Sequence, residues 1–229
     1  MGETYRSRWE TRSSSTIRGS ASMVDLSYRP LSKLALAARS QTAAFQAPVH
    51  LWELPKRGMA TLRLDLSDAA LVERAESALG LALPKQSNTL TTDTRDGFVL
   101  WASPDEFIID LPAHGDAVAR LAALRDALSN DFAAVVDVGD QMAGIGLGGS
   151  HWCEVWSKVC ALDLHQSRFM PGACAQTLAA KCNVLLYAPD LRERRVDQIR
   201  LYTRRSFAQY LFLRLEDAAQ EYGLTLRAF

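Results

Sequence analysis

Hydrophobic residues recur along the chain with two periods, one typical of strands and one typical of helices. In "ATLRLDLS", Leu62, Leu64 and Leu66 alternate with polar neighbours, which predicts a half-buried strand. The next stretch, "DAALVERAESALG", predicts an amphipathic helix, which we expect Ser67 to cap and Gly80 to end. The apolar face of this helix consists of Leu71, Val72, Ala75 and Leu79.

A hairpin and a second helix follow this first pair of elements. The stretch "GFVLWASPDEFIIDLP" predicts two strands around the turn "SPDE". The stretch "GDAVARLAALRDALSND" then has helical periodicity. Its predicted apolar face contains Val118, Leu121, Leu124 and Leu128.

The second half of the chain repeats this order of elements. "AAVVDVG" and "AGIGLGG" predict strands, and Ser150 is the expected cap of the helix "HWCEVWSKVC". Strands follow around "AQTLAAK", "CNVLLYAP" and "VDQIRLYTRR", and Ser206 is the expected cap of the last helix. The inward face predicted for that helix consists of Phe207, Tyr210, Leu211, Ala218 and Tyr222.

Strands and helices therefore do not alternate strictly, and this order favours an α+β fold. We expect two similar β-α-β-β-α-type halves that share a core, with antiparallel sheets covered by helices. Residues 1–45 lack a steady period, and we interpret them as a tail and lead-in that is poorly ordered or partner-bound at its start. The folded domain is then expected to span residues 46–229.

Charge and composition narrow the classes of partner. Lys plus Arg and Asp plus Glu both number 26, so the formal net charge is zero. That balance provides no overall field to attract nucleic acid or a membrane surface. No run of 18 apolar residues is present to span a bilayer, and the first residues lack the apolar centre of a secretory signal. We therefore expect a cytoplasmic location and reduced cysteines.

Candidate chemistry is concentrated in "CALDLHQSRFMPGACAQT", which contains Cys160, Asp163, His165 and Cys174. These side chains could bind a metal, and a Cys with a nearby His could form a nucleophile with its base. However, no C-x-x-C pair occurs, and no third group is evident that would orient the histidine. Core packing is the favoured role for the cysteines, which are Cys153, Cys160, Cys174 and Cys182. The histidines are isolated from one another in sequence: His50, His114, His151 and His165.

A second motif, "GIGLGG", matches G-x-G-x-x-G at Gly144, Gly146 and Gly149. Such glycines can let a backbone approach a pyrophosphate, but only where they open a parallel βαβ unit. Here the intervening apolar residues alternate as in a strand, which favours a structural role. The arginine-rich "RERRVDQIRLYTRR" is interpreted as a solvated edge strand, whose Arg204 and Arg205 could meet an acidic partner.

Five segments, in order, resemble the gamma subunit family of heterotetrameric sarcosine oxidase. They are "ALGLALPKQSNTL", "LWASPDEFII", "AAVVDVGDQMAGIGLGG", "CALDLHQSRFMPGACAQTLAAKCNVLLY" and "YTRRSFAQYL", and they cover roughly residues 60 to 215. The most specific is the Cys-x-Leu-Asp-Leu-His stretch that leads to Gly-x-Cys-Ala-Gln-Thr. The first 45 residues fall outside the resemblance, and "GGS" stands where the family tends to have Gly-Pro.

The resemblance implies a fold similar to the folate-binding domain of aminomethyltransferases such as the glycine-cleavage T-protein. It implies a non-catalytic structural subunit of a flavin-dependent complex that demethylates sarcosine to glycine and passes the one-carbon unit to tetrahydrofolate. FAD, FMN, NAD, tetrahydrofolate and zinc are expected on partner subunits. The expected partners are the alpha, beta and delta subunits, mainly the large alpha subunit. No catalytic, cofactor-binding or metal-binding residue is expected in this chain.

Alternative functions remain open at this level. A gamma-like subunit of a related N-methyl amino acid oxidase or dehydrogenase, such as N-methylglutamate dehydrogenase, fits the same resemblance. A free-standing folate-binding module would need a buried carboxylate, for which Asp137 and Asp140 are the candidates. The third alternative is a zinc or thiol enzyme built on the Cys/His stretch. If the chain is a subunit, Trp52, Trp101 and Phe169 are candidate anchors for a partner, or else part of the core.

Overall fold

The chain folds into two β-sheets that pack face to face, with a pair of helices on the outer side of each sheet. The computed structural model describes residues 29–40, 48–113, 116–165, 167–189 and 196–227. Strands and helices follow the predicted repeat, because each half begins with a strand and a helix, continues with three strands and ends with a helix and a strand. The expected α+β fold is therefore confirmed.

The two halves consist of matching elements. Before them come α1 (Leu36–Arg39) and β1 (Val49–Glu53). The first half comprises β2 (Arg57–Arg63), α2 (Ala69–Leu79), β3 (Leu90–Thr92), β4 (Phe98–Ser103), β5 (Glu106–Pro112), α3 (Ala117–Ala127) and β6 (Ala134–Asp137). The second half comprises β7 (Met142–Gly148), α4 (Trp152–Val159), β8 (Cys174–Ala179), β9 (Cys182–Tyr187), β10 (Gln198–Arg204), α5 (Ala208–Ala219) and β11 (Leu224–Arg227).

The sheet topologies show how the halves correspond. One sheet has the order β3-β4-β5-β2-β6, and the other has the order β8-β9-β10-β7-β1-β11. These orders match strand for strand, except that β1 lies between β7 and β11. As a result β11 pairs in parallel with β1, whereas the other strand pairs of the described residues are antiparallel.

Three clusters of buried side chains hold these layers together. The first core lies between the six-stranded sheet and helices α4 and α5, and it includes Trp156 and Phe212. The second core lies between the five-stranded sheet and helices α2 and α3. The inter-sheet core, which both halves share, includes Trp52, Phe98 and Tyr187. The fold thus has four layers, and its polar chemistry lies in the space between the two sheets.

Several helix caps differ from the prediction. The side chain of Asp68, not Ser67, accepts a hydrogen bond from the Leu71 N–H and caps α2. Neither Ser150 nor Ser206 caps a helix with its side chain: α4 begins after His151, and a 3-10 turn precedes α5. Gly80 ends α2 with φ 67°, as predicted, because a left-handed residue there suits glycine.

Two predicted helix faces are also partly wrong. Val118 is 81% exposed, and Arg120 takes its inward place on α3, where its Nε donates to the Leu79 carbonyl at 2.8 Å. On the last helix, Phe207 and Tyr210 are exposed, whereas Phe212 and Leu215 are buried. Hydrophobicity alone therefore does not show whether an aromatic residue near the start of this helix faces inward. Strands β1, β3 and β11 were not predicted, since each is short or lacks a clear alternation.

Part of the predicted tail and lead-in contacts the domain. Leu31 and Leu36 are buried in the first core, and Arg39 forms an ion pair with Glu216 of α5. The Gln209 side chain donates to the Pro30 carbonyl. The rest of residues 1–45 lies outside the described residues, and the division at residue 45 stays a prediction. None of the helices in the described ranges has the length and apolar character needed to cross a membrane.

Candidate functional site

A buried ionic group joins the two sheets at the centre of the molecule. Asp110 of β5 is 0% exposed, and its two carboxylate oxygens have different partners. Oδ1 lies 2.5 Å from Nε of Arg57 on β2, and Oδ2 accepts a 2.6 Å hydrogen bond from the Tyr187 hydroxyl on β9. Because β9 belongs to the opposite sheet, this carboxylate connects the sheets. We call Arg57, Asp96, Asp110, Tyr187 and Arg200 the central network.

A second link runs through Asp96, in the turn between β3 and β4. Its carboxylate lies 2.6 Å from Nη1 of Arg57 and 3.0 Å from Nη2 of Arg200, a residue of β10 in the other sheet. Arg200 also donates to the Tyr187 hydroxyl at 3.3 Å and lies over the Phe98 ring at 5.1 Å. The charges in the network therefore occur as pairs, which is the condition under which buried charge is tolerated.

Burial shifts the proton affinities inside the network. The pKa of Tyr187 is raised well above its ordinary value, first by burial and then by the Asp110 charge. Burial alone would lower the pKa of Arg57, but Asp110 and two tyrosines raise it overall. At neutral pH the tyrosine is therefore neutral and the arginine is charged. Since both oxygens of Asp110 are hydrogen-bonded, the arrangement suits cohesion of the sheets better than proton transfer.

A cleft of about 370 Å³ adjoins the network and is lined by Arg57, Glu53 and Tyr202. The Tyr202 hydroxyl is buried and has no hydrogen-bond partner among the described residues. Glu53 pairs with Arg29 at 3.2 Å and accepts from the Leu31 N–H at 3.3 Å. Burial raises the pKa of Glu53, and Arg29 partly offsets that effect. The cleft could accept a small polar molecule, with these groups as its contacts.

The glycines of "GIGLGG" serve packing. Gly144 and Gly146 lie within β7, as predicted. A Cβ at Gly146 would overlap the indole ring of Trp52, which lies on the neighbouring strand β1. Gly149 has φ +104°, and a Cβ there would overlap the Pro48 carbonyl. A tryptophan ring thus occupies the space beside Gly146 that a phosphate would need.

The stretch that starts at Cys160 does not bring its sulfur atoms together. Cys160 belongs to the first core and Cys174 to the inter-sheet core, so the six-stranded sheet separates them. The Cys174 Sγ donates to backbone carbonyls, and burial raises its pKa to about 11. Among the described residues, no group of three or more His, Cys, Asp and Glu side chains could hold a metal ion.

The three candidate histidines within the described residues lie in different surroundings. His165 is exposed: its N–H donates to Asp163 Oδ1 at 2.8 Å, and its Nδ1 lies 2.9 Å from Ser167 Oγ, so the two candidates organise a turn. His151 stacks on Tyr222 at a ring distance of 5.1 Å. His50 is buried and its Nδ1 lacks a partner among the described residues; burial, followed by the Arg227 charge, lowers its pKa. His114 lies outside the described residues.

The two candidate carboxylates for a folate site are exposed. Asp137 accepts from the Gly139 N–H, and Asp140 pairs with Lys56 at 2.8 Å at the edge of the cleft. The Lys56 hydrogen bond lowers the pKa of Asp140. The buried carboxylates among the described residues are instead Asp110 and Glu53, neither of which the sequence pattern predicted as a site residue. An acid flanked by apolar residues in "FIIDLP" was the signal that could have identified Asp110.

The three aromatic residues considered as anchors for a partner pack against the cores of this chain. Trp52 and Phe169 are buried in the inter-sheet core and the first core, and Trp101 packs partly buried against the second core.

Strand β10, which the sequence predicts to be a solvated edge, instead lies between β7 and β9. Its Arg200 is accommodated there because Asp96 pairs with it. Arg204 is exposed at the end of this strand, and Nη1 of Arg205 lies 3.4 Å from the Asp140 carbonyl.

Comparisons with known proteins agree on one family. Residues 63–221 match the model of the sarcosine oxidase, gamma subunit family. The sarcosine oxidase subunit gamma of Corynebacterium sp. (strain P-1) is 32% identical over 52% of this chain, a match that spans only 55% of that relative's length. The corresponding subunit of Corynebacterium sp. (strain U-96) is 28% identical over 85% of this chain and 90% of its own length.

Solved structures show the same relationship. A chain of the heterotetrameric sarcosine oxidase from Corynebacterium sp. U-96, in complex with pyrrole 2-carboxylate, aligns with a TM-score of 0.75 at 26% identity. The alignment covers 89% of this chain and 100% of that one. Glycine cleavage system aminomethyltransferase T from Bartonella henselae aligns with a TM-score of 0.59 at 12% identity, over 86% of this chain and 58% of that one. The expected aminomethyltransferase-like fold is thus confirmed.

Proposed function

Because this chain belongs to the sarcosine oxidase gamma subunit family, we propose that it is a non-catalytic structural subunit of a heterotetrameric, flavin-dependent sarcosine oxidase. The observation that carries the proposal is the alignment over the whole length of a chain of such an enzyme. Its role would be to present a rigid surface on which the catalytic subunits assemble.

The chemistry of the chain supports this assignment. The buried charges pair with one another in the central network, and the Cys174 thiol stays protonated at neutral pH. The only motif with a nucleotide-binding pattern packs against Trp52. These features suit cohesion of a scaffold. FAD, FMN, NAD, tetrahydrofolate and zinc would be held by the alpha, beta and delta subunits, and the large alpha subunit would be the main contact.

The proposed reaction of the whole complex is oxidative demethylation of sarcosine to glycine, with transfer of the one-carbon unit to tetrahydrofolate. A complex that acts on another N-methyl amino acid is compatible with the same subunit. We place the complex in the cytoplasm, where the four cysteine thiols of this chain would stay reduced.

Absorption spectra test the proposal. The chain purified alone should show no flavin absorbance, because flavin chemistry would reside on its partners. Co-expressed with the alpha, beta and delta subunits, it should co-purify with a flavoprotein. A chain that binds flavin and oxidises sarcosine alone would overturn the proposal.

A second candidate, a folate-binding module, is favoured by the cleft beside Glu53 and Tyr202. A pterin presents hydrogen-bond donors that need a buried acceptor, and Glu53 is the carboxylate placed there. Isothermal calorimetry of the isolated chain with tetrahydrofolate tests this candidate. Saturable binding that Glu53→Gln abolishes would support it, and the absence of heat of binding would reject it.

A further inference from the structure

The two sheets part at one end of the sandwich and leave an open groove of about 620 Å³ between their inner faces. Met59 and Leu185 are buried at its base, whereas Leu178 of β8 is 60% exposed at its mouth. Leu178 faces inward because side chains alternate along a strand, and Cys174 on the same side of β8 belongs to the inter-sheet core. The inner face of a sandwich is normally covered by the opposing sheet. Here an apolar part of that face is left uncovered by the residues that the structure describes.

The backbone beside the groove is also open. Strand β8 is outermost in its sheet. The Cys174 N–H points away from β9 and donates to the Asn88 carbonyl at 2.9 Å. Because backbone groups alternate in direction along a strand, the N–H groups of Gln176 and Leu178 point to the same open side. Beyond Cys174, no described strand pairs with this edge, and an open edge is a template for an added strand.

The charge of the groove restricts what can fill it. Among the described residues, Arg204 is the one charged side chain that lines the groove, and it forms no ion pair with another described residue. The exposed polar lining consists of the amides of Gln141, Gln176 and Asn183. The Gln176 amide already donates to the Ala102 carbonyl at 3.1 Å, so Gln141 and Asn183 are the amides that can bond to a peptide backbone. A complementary occupant is apolar and carries a carboxylate for Arg204.

A second copy of this chain does not meet that requirement. A two-fold contact uses the same patch on both subunits, so it would place groove against groove and Arg204 against Arg204. Two concave surfaces of like charge would leave both grooves unfilled. The geometry points to a different protein: we infer that the groove and the open edge of β8 receive an extended apolar segment with an acidic side chain from another subunit of the oxidase. This inference rests on the proposed function.

Assembly of variants with the co-expressed alpha, beta and delta subunits tests the inference. Leu178→Asp places a charge at the mouth of the groove, near the expected carboxylate of the partner. Arg204→Glu reverses the one cation, and Gln176→Pro removes an outward N–H while leaving the pairing with β9 intact. Each variant should lower the amount of this chain retained on a tagged alpha subunit at least tenfold. Arg204→Lys should be retained at near the wild-type amount.

Val118→Asp is the matched control, since Val118 is more exposed than Leu178 and lies on α3, away from the groove. It should be retained like the wild type, and each isolated variant should melt within a few degrees of the wild type. Retention of Leu178→Asp and Arg204→Glu at the wild-type amount would overturn the inference, as would equal loss of Val118→Asp. If the wild-type chain itself is not retained, it is the proposed function that fails.

Discussion

The carboxylate of Asp110 accepts a 2.6 Å hydrogen bond from the hydroxyl of Tyr187, and the two residues belong to opposite sheets of the sandwich. The same carboxylate pairs with Arg57, which is nearly fully buried and has Asp96 as its second partner. This contact crosses the core that both halves share. Cohesion of the two halves therefore depends on a polar group as well as on apolar packing.

Replacing Asp110 should destabilise the fold strongly. In Asp110→Ala, Arg57 keeps its charge but retains only the ion pair with the partly exposed Asp96. Breaking a buried pair in this way costs about 3–5 kcal/mol. Tyr187→Phe removes the hydroxyl, which donates to Asp110 and accepts from Arg200, and should cost about 1–3 kcal/mol. Urea denaturation of the isolated chain measures both. Asp140→Ala is the control, because its ion pair with Lys56 is exposed and should contribute less than about 1 kcal/mol. Equal losses for Asp110→Ala and Asp140→Ala would contradict this account.

The contact between Gly146 and Trp52 predicts non-additive mutations. Gly146→Ala introduces a methyl group where the indole ring lies, so it should destabilise the chain by about 1–3 kcal/mol through overpacking. In a Trp52→Leu background the same methyl group has more space, and its cost should fall by at least about half. A double-mutant cycle by denaturation measures this coupling. Strict additivity would show that the ring does not occupy the space beside Gly146.

Low pH should reduce the stability of the fold, in part because Asp93 becomes protonated. Burial raises the pKa of Asp93, but bonds from the Gly97 and Arg95 N–H groups and from Arg120 lower it more, so the pKa lies below its ordinary value. A carboxylate with a lowered folded-state pKa binds fewer protons in the folded state. Its stabilisation is therefore present above about pH 4 and is lost as the pH falls through the folded-state value.

Asp93→Asn removes that titration. The variant should be less stable than the wild type at pH 7, and the difference should shrink as the pH falls below about 4. Urea midpoints across this pH series provide the measurement. A difference that stays constant with pH would show that Asp93 acts only through its neutral hydrogen bonds.

The four cysteines should differ in their rates of reaction with a thiol-labelling reagent. At pH 8 iodoacetamide should modify the partly exposed Cys153 well before Cys174, because burial both shields Cys174 and raises its pKa to about 11. Mass spectrometry of the native chain identifies the labelled sites, and denatured chain, in which all four should react, is the control. Comparable labelling of native Cys153 and Cys174 would imply a reactive thiol at Cys174.

Periodicity predicted most of the architecture, and it was most exact in α2, where the buried residues follow the helical period. It was less exact for β2, which ends at Arg63 and leaves the predicted inward Leu66 exposed. It did not predict the roles of Asp110 and Arg200, because the sequence does not show which oppositely charged side chain an acid or a base in an apolar strand will contact. Asp110 and Tyr187 are 77 residues apart, and only the packing of the sheets brings them together. The same limit applies to Gly146: the alternation of apolar residues placed it in a strand, but it could not show that the Trp52 ring lies beside it.

The subunit composition of the assembled enzyme tests the central claim most directly. Native mass spectrometry of this chain co-expressed with the alpha, beta and delta subunits should show one assembly that contains all four chains and the flavin. Omission of this chain should abolish or destabilise that assembly. A stable, active complex of alpha, beta and delta that forms equally well without this chain would contradict the structural role proposed for it.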